Sequence, residues 1–316
     1  MGSFPIQKIK GMGMKKILLG VLSILLFMVL QFIVLSAHQT IYILIMIDIL
    51  VITGLFLASL YLAHQSLKKE IRRTIFHSVE KREKILTEEM IEGLPLPVKR
   101  YLRFTGAIGT VIPERVYLRQ KGRIRKSAAT PWMEITAEEY YSIEPPAFIW
   151  IGKVNKGGIP IIQVRDKYAQ GKGSIQIRPG TVFPLTPVRG EMMDQGSLMR
   201  YLNEMVFWFP SALLRENIAF EAINEDTAKI HFTDSGKTVS AILYFDREGR
   251  LVNFMAERFE MNRNRMEIWE TPISAYDKFL GLTLTRKGSG VWKYTEGDLT
   301  YIEIELTHLS YQPDSM

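Results

Sequence analysis

The chain has 316 residues, a formal net charge of +7 and no cysteine. The absence of cysteine excludes a disulfide framework, thiolate zinc sites, iron–sulfur clusters and cysteine nucleophiles. All of the net positive charge lies in residues 1–103, while residues 104–316 are neutral overall, so the composition does not support a nucleic-acid surface on the folded part of the chain, and no nucleic-acid partner is expected.

Two apolar stretches occupy residues 17–37 and 41–63, and they contain one formally charged side chain, Asp48. Each stretch is long enough to span a hydrocarbon core of about 30 Å as a helix. Only residues 38–40 connect them. The pattern predicts a basic tail over residues 1–16 followed by a transmembrane helical hairpin over residues 17–63.

The basic residues that flank the hairpin predict its orientation. Lys15 and Lys16 precede the first stretch, a basic group between Lys68 and Arg73 follows the second, and the tip has neither lysine nor arginine. By the positive-inside rule, both termini and the large domain are expected in the cytoplasm of a two-span protein of the cell membrane.

Asp48 is costly in lipid and therefore needs an explanation. Gln31 lies at a similar distance on the other side of the hairpin tip, so its amide could hydrogen-bond the Asp48 carboxyl group. The pair is interpreted as a clip between two helices, with a proton or ion relay as the alternative.

Residues 64–93 have apolar side chains at three- and four-residue steps and many basic ones. They predict a juxtamembrane amphipathic helix, which either lies on an anionic lipid surface or packs on the following domain. A Leu-Pro-Leu-Pro sequence then breaks the chain. Pro97 is well placed to begin a short helix, and Gly106 to end it.

From residue 94 to residue 316 the sequence predicts an antiparallel β domain. Side chains alternate between apolar and polar along several segments, such as residues 133–139 and 302–307, and glycine-containing turns separate the segments at short intervals. About ten to twelve strands are expected.

One helix, predicted over residues 194–214, interrupts these strands. It has a wide apolar face with Asp194 as a plausible N-cap, and Pro210 ends or kinks it. Such a face must be covered. The expected fold is therefore mainly β (α+β), with a curved antiparallel half-barrel sheet that encloses one helix.

Five phrases in the domain resemble an uncharacterised bacterial family, known as a domain of unknown function that often follows membrane helices. The resemblance covers roughly residues 90–280, and its phrases are LPLPVKRYLRFTG (94–106), PWMEITAEEYYSIEPPAFIW (131–150), RDKYAQGKG (165–173), GEMMDQGSLMRYLNEMVFWFPSALL (190–214) and LYFDREGRLVNFMAERF (243–259). The resemblance implies almost nothing about activity, because no catalytic residues are established for that family.

At the level of fold the pattern is similar to the half-barrels of bacterial lipoprotein-sorting carriers. This resemblance implies a space for acyl chains between sheet and helix. Those carriers work outside the cytoplasmic membrane, whereas the flanking charges here place the domain inside.

The candidate binding residues combine aromatic and charged side chains near the enclosed helix. Arg200 and Glu204 are four residues apart on that helix and could pair, and Arg165 or Asp166 could supply a partner from a strand. The group is either a polar end of an apolar cavity, suited to a lipid headgroup, or a structural ion pair. The full set is Trp132, Glu134, Trp150, Arg165, Asp166, Arg200, Tyr201, Glu204 and Trp208.

No cofactor or metal site is predicted. The histidines have no partner ligands at short spacing, and neither a P-loop nor a G-x-S-x-G nucleophile motif occurs. The leading hypothesis is a non-enzymatic, membrane-anchored domain that binds membrane lipids or another amphiphilic ligand. The alternatives are a scaffold for a membrane protein partner and a hydrolase that uses Glu134, Asp166 or Asp194.

Overall fold

The computed structural model describes residues 12–34, 38–76 and 84–313. The chain divides into two compact units, Met1–His64 and Gln65–Met316.

The first unit contains helix α1, Met12–Val34, and the N-terminal part of helix α2, His38–Ile75. Among the described residues one helix, Thr40–Ile75, is long and apolar enough to cross a membrane, and Gly20–Phe32 is a shorter apolar stretch. Of the two predicted spans, only the second therefore meets this criterion. Membrane anchors and signal sequences near an N-terminus share this length and composition.

The last turns of α2 belong to the second unit and cover the outer face of its sheet. Ile71 and Ile75 are fully buried against a cluster that contains Tyr140 and Ile149. Glu70 forms ion pairs with Arg165 and, at 3.1 Å, with Lys167. The amphipathic segment is expected either to lie on a lipid surface or to pack on the following domain. Its described residues pack on the domain.

The described part of residues 64–93 does not form the single continuous helix that the sequence predicts. Helix α2 ends at Ile75, residues 84–87 are irregular, and a short helix α3, Glu88–Ile91, follows. The reason is tertiary pairing. The backbone N–H of Leu86 donates to Thr110 at 3.0 Å, the N–H of Gly109 donates to Leu86 at 2.7 Å, and the Leu86 side chain is buried.

Helix α4, Leu96–Thr105, forms where Pro97 and Gly106 predict it. Pro97 lies in its first turn, and Gly106 takes the left-handed conformation at its C-cap. The Tyr101 hydroxyl donates to the Val206 carbonyl at 2.5 Å, which ties α4 to the enclosed helix.

In the part of the chain that the structure describes, thirteen strands form one antiparallel sheet that remains open, which confirms the predicted fold class. The sheet order is β5-β4-β3-β2-β1-β13-β12-β10-β9-β8-β7-β6, and β11 pairs with β12. The strands are β1 Arg115–Ile124, β2 Met133–Ser142, β3 Ala147–Lys156, β4 Ile159–Ala169, β5 Lys172–Pro179, β6 Ile218–Asn224, β7 Thr227–Asp234, β8 Lys237–Phe245, β9 Leu251–Glu260, β10 Arg265–Glu270, β11 Ile273–Phe279, β12 Leu282–Tyr294 and β13 Gly297–Tyr311.

Helix α5, Glu191–Trp208, is the enclosed helix, and a 3-10 segment, Pro210–Leu214, follows it. It packs against β4, β5, β8, β9 and β12, and most of its side chains are buried. Asp194 is not its N-cap, since Gly190 takes that place. The helix begins one turn earlier than predicted, so the Asp194 carboxylate accepts from the backbone N–H of Gly173 at 2.8 Å and pairs with Lys172 at 3.0 Å.

The close approach of α5 to the sheet gives a test of this packing. A Cβ on Gly173 would lie 2.4 Å from the Met193 carbonyl oxygen and 2.5 Å from Ser197 Oγ. We expect Gly173→Ala to push α5 away from β5 and to lower the free energy of unfolding by about 1–3 kcal/mol.

The measurement is thermal unfolding of the full chain in detergent, with tryptophan fluorescence as the signal. Gly93→Ala is the matched control, because a Cβ on Gly93 would meet no atom within 4 Å. Equal midpoints for the two variants would contradict the close packing of α5 on β5.

Candidate functional site

A cavity of about 570 Å³ lies between α5 and the concave face of the sheet. Strands β1 to β5 supply one wall, and β9, β10, β12 and β13 supply the other. The volume falls within the range of about 300–1,000 Å³ that is usual for small-molecule pockets.

Most of the cavity wall is apolar. Ile162, Val164 and Ile175 line the side formed by β4 and β5. On the other side, Trp269 and Trp292 lie with ring centroids 6.4 Å apart, and Trp292 stacks on Tyr301 at 5.8 Å. Such a wall is suited to hydrocarbon, because it offers dispersion contacts and few hydrogen-bonding groups.

Arg200 on α5 forms the centre of a polar cluster at the cavity wall. Its Nη1 donates to Asp166 Oδ2 at 2.9 Å, its Nη2 to Glu139 Oε1 at 3.0 Å, and its Nε to Glu204 Oε1 at 3.0 Å. The guanidinium also lies 4.8 Å from the centroid of the Trp150 ring. A planar guanidinium can satisfy several carboxylates at once, which an ammonium group cannot do with the same geometry.

A second set of residues holds this cluster in place. The Tyr141 hydroxyl donates to Glu204 Oε2, and Trp150 Nε1 donates to Gln120 Oε1 at 2.9 Å. The Trp150 ring lies across Gly152, where a Cβ would come within 2.1 Å of the indole. Gly152 therefore leaves the space that lets Trp150 stack on Arg200.

The protonation of the cluster follows from its burial. Burial raises the pKa of the Glu139 carboxyl well above its usual range, the Arg200 guanidinium opposes this shift, and the Glu204 carboxylate adds to it. Three carboxyl groups surround one cation, and Glu139 is the one among them whose burial favours the neutral form.

Arg258 lies on the opposite wall. Its guanidinium is 4.6 Å from the Trp269 ring centroid, and its Nε donates to the Gly196 carbonyl at 3.0 Å. Cation–π contact and this hydrogen bond hold the side chain along the aromatic wall.

Five of the nine residues predicted to bind a ligand lie on the cavity wall. They are Trp150, Asp166, Arg200, Glu204 and Trp208. Their role in binding stays a prediction.

The other four predicted residues lie elsewhere. Arg165 is on the outer face of β4 and pairs with Glu70, because neighbouring residues of a strand point to opposite faces and Asp166 points inward. Tyr201 is fully buried in the core, and its hydroxyl donates to the Ser142 carbonyl at 3.0 Å. Glu134 is exposed on β2, and the Trp132 ring lies 4.4 Å from the Arg125 guanidinium beside the cavity.

Sequence reasoning missed Glu139, Arg258 and Trp292 as parts of the site. Glu139 was detectable, since it shares the apolar face of β2 with Ile135 and Ala137, and an acid on a buried face requires a partner. Arg258 and Trp292 have no comparable local signal, because their role depends on how β9 and β12 curve around α5.

The carboxylates proposed for a hydrolase do not converge. Glu134 is exposed on β2, Asp166 binds Arg200 at the cavity, and Asp194 binds the Gly173 backbone at the start of α5. Within the described residues, no group of three His, Asp or Glu side chains is arranged to hold a metal ion.

Gln31 and Asp48 lie on α1 and α2 of the first unit. No hydrogen bond joins them in the part of the chain that the structure describes, and Gln31 Oε1 is buried there without a donor. The helix clip between them stays a prediction.

The pKa of Glu139 predicts a pH-dependent stability. The folded-state value lies above the ordinary 4.5, so the folded protein keeps a proton that the unfolded chain releases. The contribution of Glu139 to the free energy of unfolding is therefore fully present below pH 4.5. It falls as the pH rises towards the folded-state pKa, by up to about 1.4 kcal/mol per pH unit.

Glu139→Gln keeps an acceptor for Arg200 and does not titrate. We expect its free energy of unfolding, relative to the unsubstituted protein, to increase between pH 5 and pH 8. The readout is denaturant unfolding of the full chain in detergent, with the exposed Glu134→Gln as the control. Parallel pH profiles for all three proteins would show that Glu139 titrates normally.

Two solved structures resemble this fold at low sequence identity. A DUF1329 family protein from Desulfovibrio piger has 11% identity and a TM-score of 0.41, and the match covers 70% of this chain and 94% of that one. A LolA superfamily protein from Nitrosomonas europaea has 7% identity and a TM-score of 0.40, with 70% and 95% covered. No curated protein matches the chain by sequence.

The sequence profile of the family of unknown function DUF6544 matches residues 84–304. The match begins just before α3 and ends within β13, so it includes the sheet, the enclosed helix and the cavity between them. It also confirms the resemblance to an uncharacterised family that the five sequence phrases indicated. The chain belongs to the DUF6544 family.

Proposed function

We propose that this protein is a membrane-anchored, non-enzymatic binding protein that holds a lipid or another amphiphile in the cavity between α5 and the sheet. The observation that carries the proposal is the cavity itself. It has a volume of about 570 Å³, a mostly apolar wall and one buried polar cluster.

The size of the cavity supports an occupant. Protein interiors are close-packed, with few voids larger than a water molecule. Water gains few hydrogen bonds from an aliphatic and aromatic wall, so an amphiphile with a hydrocarbon chain fits the space better.

The combination of wall and cluster supports an amphiphile over a purely apolar ligand. Binding pockets usually pair an apolar lining with a few polar groups that fix the orientation of the ligand. Here the apolar lining extends from Ile162 and Ile175 to Trp292, and Arg200 with its carboxyl partners is one of the polar groups on the wall.

Filling the cavity tests the proposal. Val164 lines the cavity on β4, and we expect Val164→Trp to exclude the hydrocarbon chain. Native mass spectrometry of the full chain, released gently from detergent micelles, should show a one-to-one lipid adduct. The adduct should decrease several-fold in Val164→Trp.

Val252→Trp is the matched control, because Val252 is exposed on β9 and does not line the cavity. Its adduct should equal that of the unsubstituted protein. An unsubstituted chain that carries no adduct, or an adduct that Val164→Trp leaves unchanged, would contradict binding in the cavity.

For the anchor we propose two spans, with both termini and the second unit in the cytoplasm. The support is the distribution of lysine and arginine, which flank residues 17–63 on both sides and are absent from residues 38–40. Because the chain has no cysteine, single introduced thiols report their location without background.

Labelling with a membrane-impermeant maleimide in intact cells tests this orientation. We expect Gln39→Cys to react from outside, and Ser3→Cys and Ser235→Cys to react only after lysis. If Ser3→Cys reacts from outside while Ser235→Cys reacts only after lysis, the chain has a single span. If Ser235→Cys reacts from outside, the second unit lies outside the cell and the proposed orientation is wrong.

A further inference from the structure

The polar cluster contains one acceptor that the chain leaves without a donor. Asp166 is only 4% exposed, and its Oδ2 binds Arg200 while its Oδ1 has no hydrogen-bond partner among the described residues. A buried acceptor without a donor destabilises the fold, so Asp166 Oδ1 indicates a donor that comes from outside the chain.

The neighbouring donors are already engaged. The Tyr141 hydroxyl binds Glu204, and Trp150 Nε1 binds Gln120. Arg165 and Lys167, adjacent to Asp166 in sequence, point to the outer face, where both bind Glu70. No described side chain is therefore placed to supply the missing hydrogen bond to Asp166.

The charges of the cluster select the kind of donor. Three carboxyl groups, from Glu139, Asp166 and Glu204, surround the single guanidinium of Arg200. An anionic headgroup would offer this cluster only further acceptors. A hydroxyl or an ammonium group would supply the missing hydrogen bond, and an ammonium would also balance the excess of acid.

We infer that this cluster recognises an amphiphile whose headgroup donates hydrogen bonds, a hydroxyl or an ammonium, in preference to a headgroup that only accepts them. Asp166 is the residue that accepts the hydrogen bond, since it lines the cavity and has a free carboxylate oxygen. The hydrocarbon chain of the amphiphile lies against the apolar wall. The inference rests on the proposed binding function and adds the class of ligand.

A series of photoreactive probes tests it on the full chain in nanodiscs. The probes share a sixteen-carbon chain with a diazirine and end in a primary alcohol, a primary amine, a methyl ether or a sulfonate. The alcohol and amine donate hydrogen bonds, the ether only accepts them, and the sulfonate is a permanent anion. Mass spectrometry locates the cross-links.

We expect the alcohol and amine probes to label cavity peptides, such as residues 191–208 and 251–260, about tenfold more than the ether and the sulfonate, as one hydrogen bond to a charged group predicts. Asp166→Asn should reduce this preference to near unity. Glu134→Gln, an exposed acid on β2, is the control and should keep it.

The outcomes separate the two proposals. Equal labelling of the cavity by all four probes, as expected if water alone serves Asp166, would overturn the headgroup inference and leave amphiphile binding intact. Preferential labelling by the sulfonate would also overturn it. Labelling that avoids the cavity peptides with every probe would overturn the binding function itself. The probe series on the unsubstituted chain decides the question even where Asp166→Asn does not fold.

Discussion

The structure of the second unit depends on a charged side chain that is carried by a buried helix. The Arg200 side chain is mostly buried, and a buried charge without partners destabilises a fold, so the surrounding sheet supplies its partners. Two strands do so, through Glu139 on β2 and Asp166 on β4, while Glu204 contributes from the same helix. These contacts fix the rotation of α5 against the first half of the sheet. They also place the Asp166 carboxylate beside an apolar cavity, and one of its oxygens has no hydrogen-bond donor among the described residues.

Helix α5 has two different environments along the concave face of the sheet. Tyr201 and Leu202 are fully buried, and Tyr201 stacks on Phe232 at 5.7 Å. Arg200, Glu204 and Phe207 border the cavity instead. The same helix therefore closes the core on one side and leaves space on the other. An open sheet allows this arrangement, because its two edges can follow the helix without having to close around it.

The outer face of the sheet has its own charged contact. Arg165 and Asp166 are adjacent on β4, so the strand sends one charge to each face. Arg165 binds Glu70 on the last turns of α2, and Asp166 binds Arg200 at the cavity. Within the second unit, β4 thus connects the segment that follows the apolar stretch with the polar end of the cavity. Both contacts are partly or fully buried, where ion pairs are sensitive to the loss of either partner.

The sequence by itself determined the elements of this protein. Apolar length indicated the helices near the N-terminus, two-residue alternation indicated the antiparallel strands, and the spacing of Leu198, Leu202 and Met205 indicated the enclosed helix. These signals are local, since they come from the periods of the backbone itself. Only the tertiary structure decided which residues meet. Arg200 pairs with residues 34 and 61 positions away, and residues 84–87 leave the helical pattern because Leu86 pairs with Thr110. Strand order and register set such contacts, and the periodicity of a single segment contains no information about its partners.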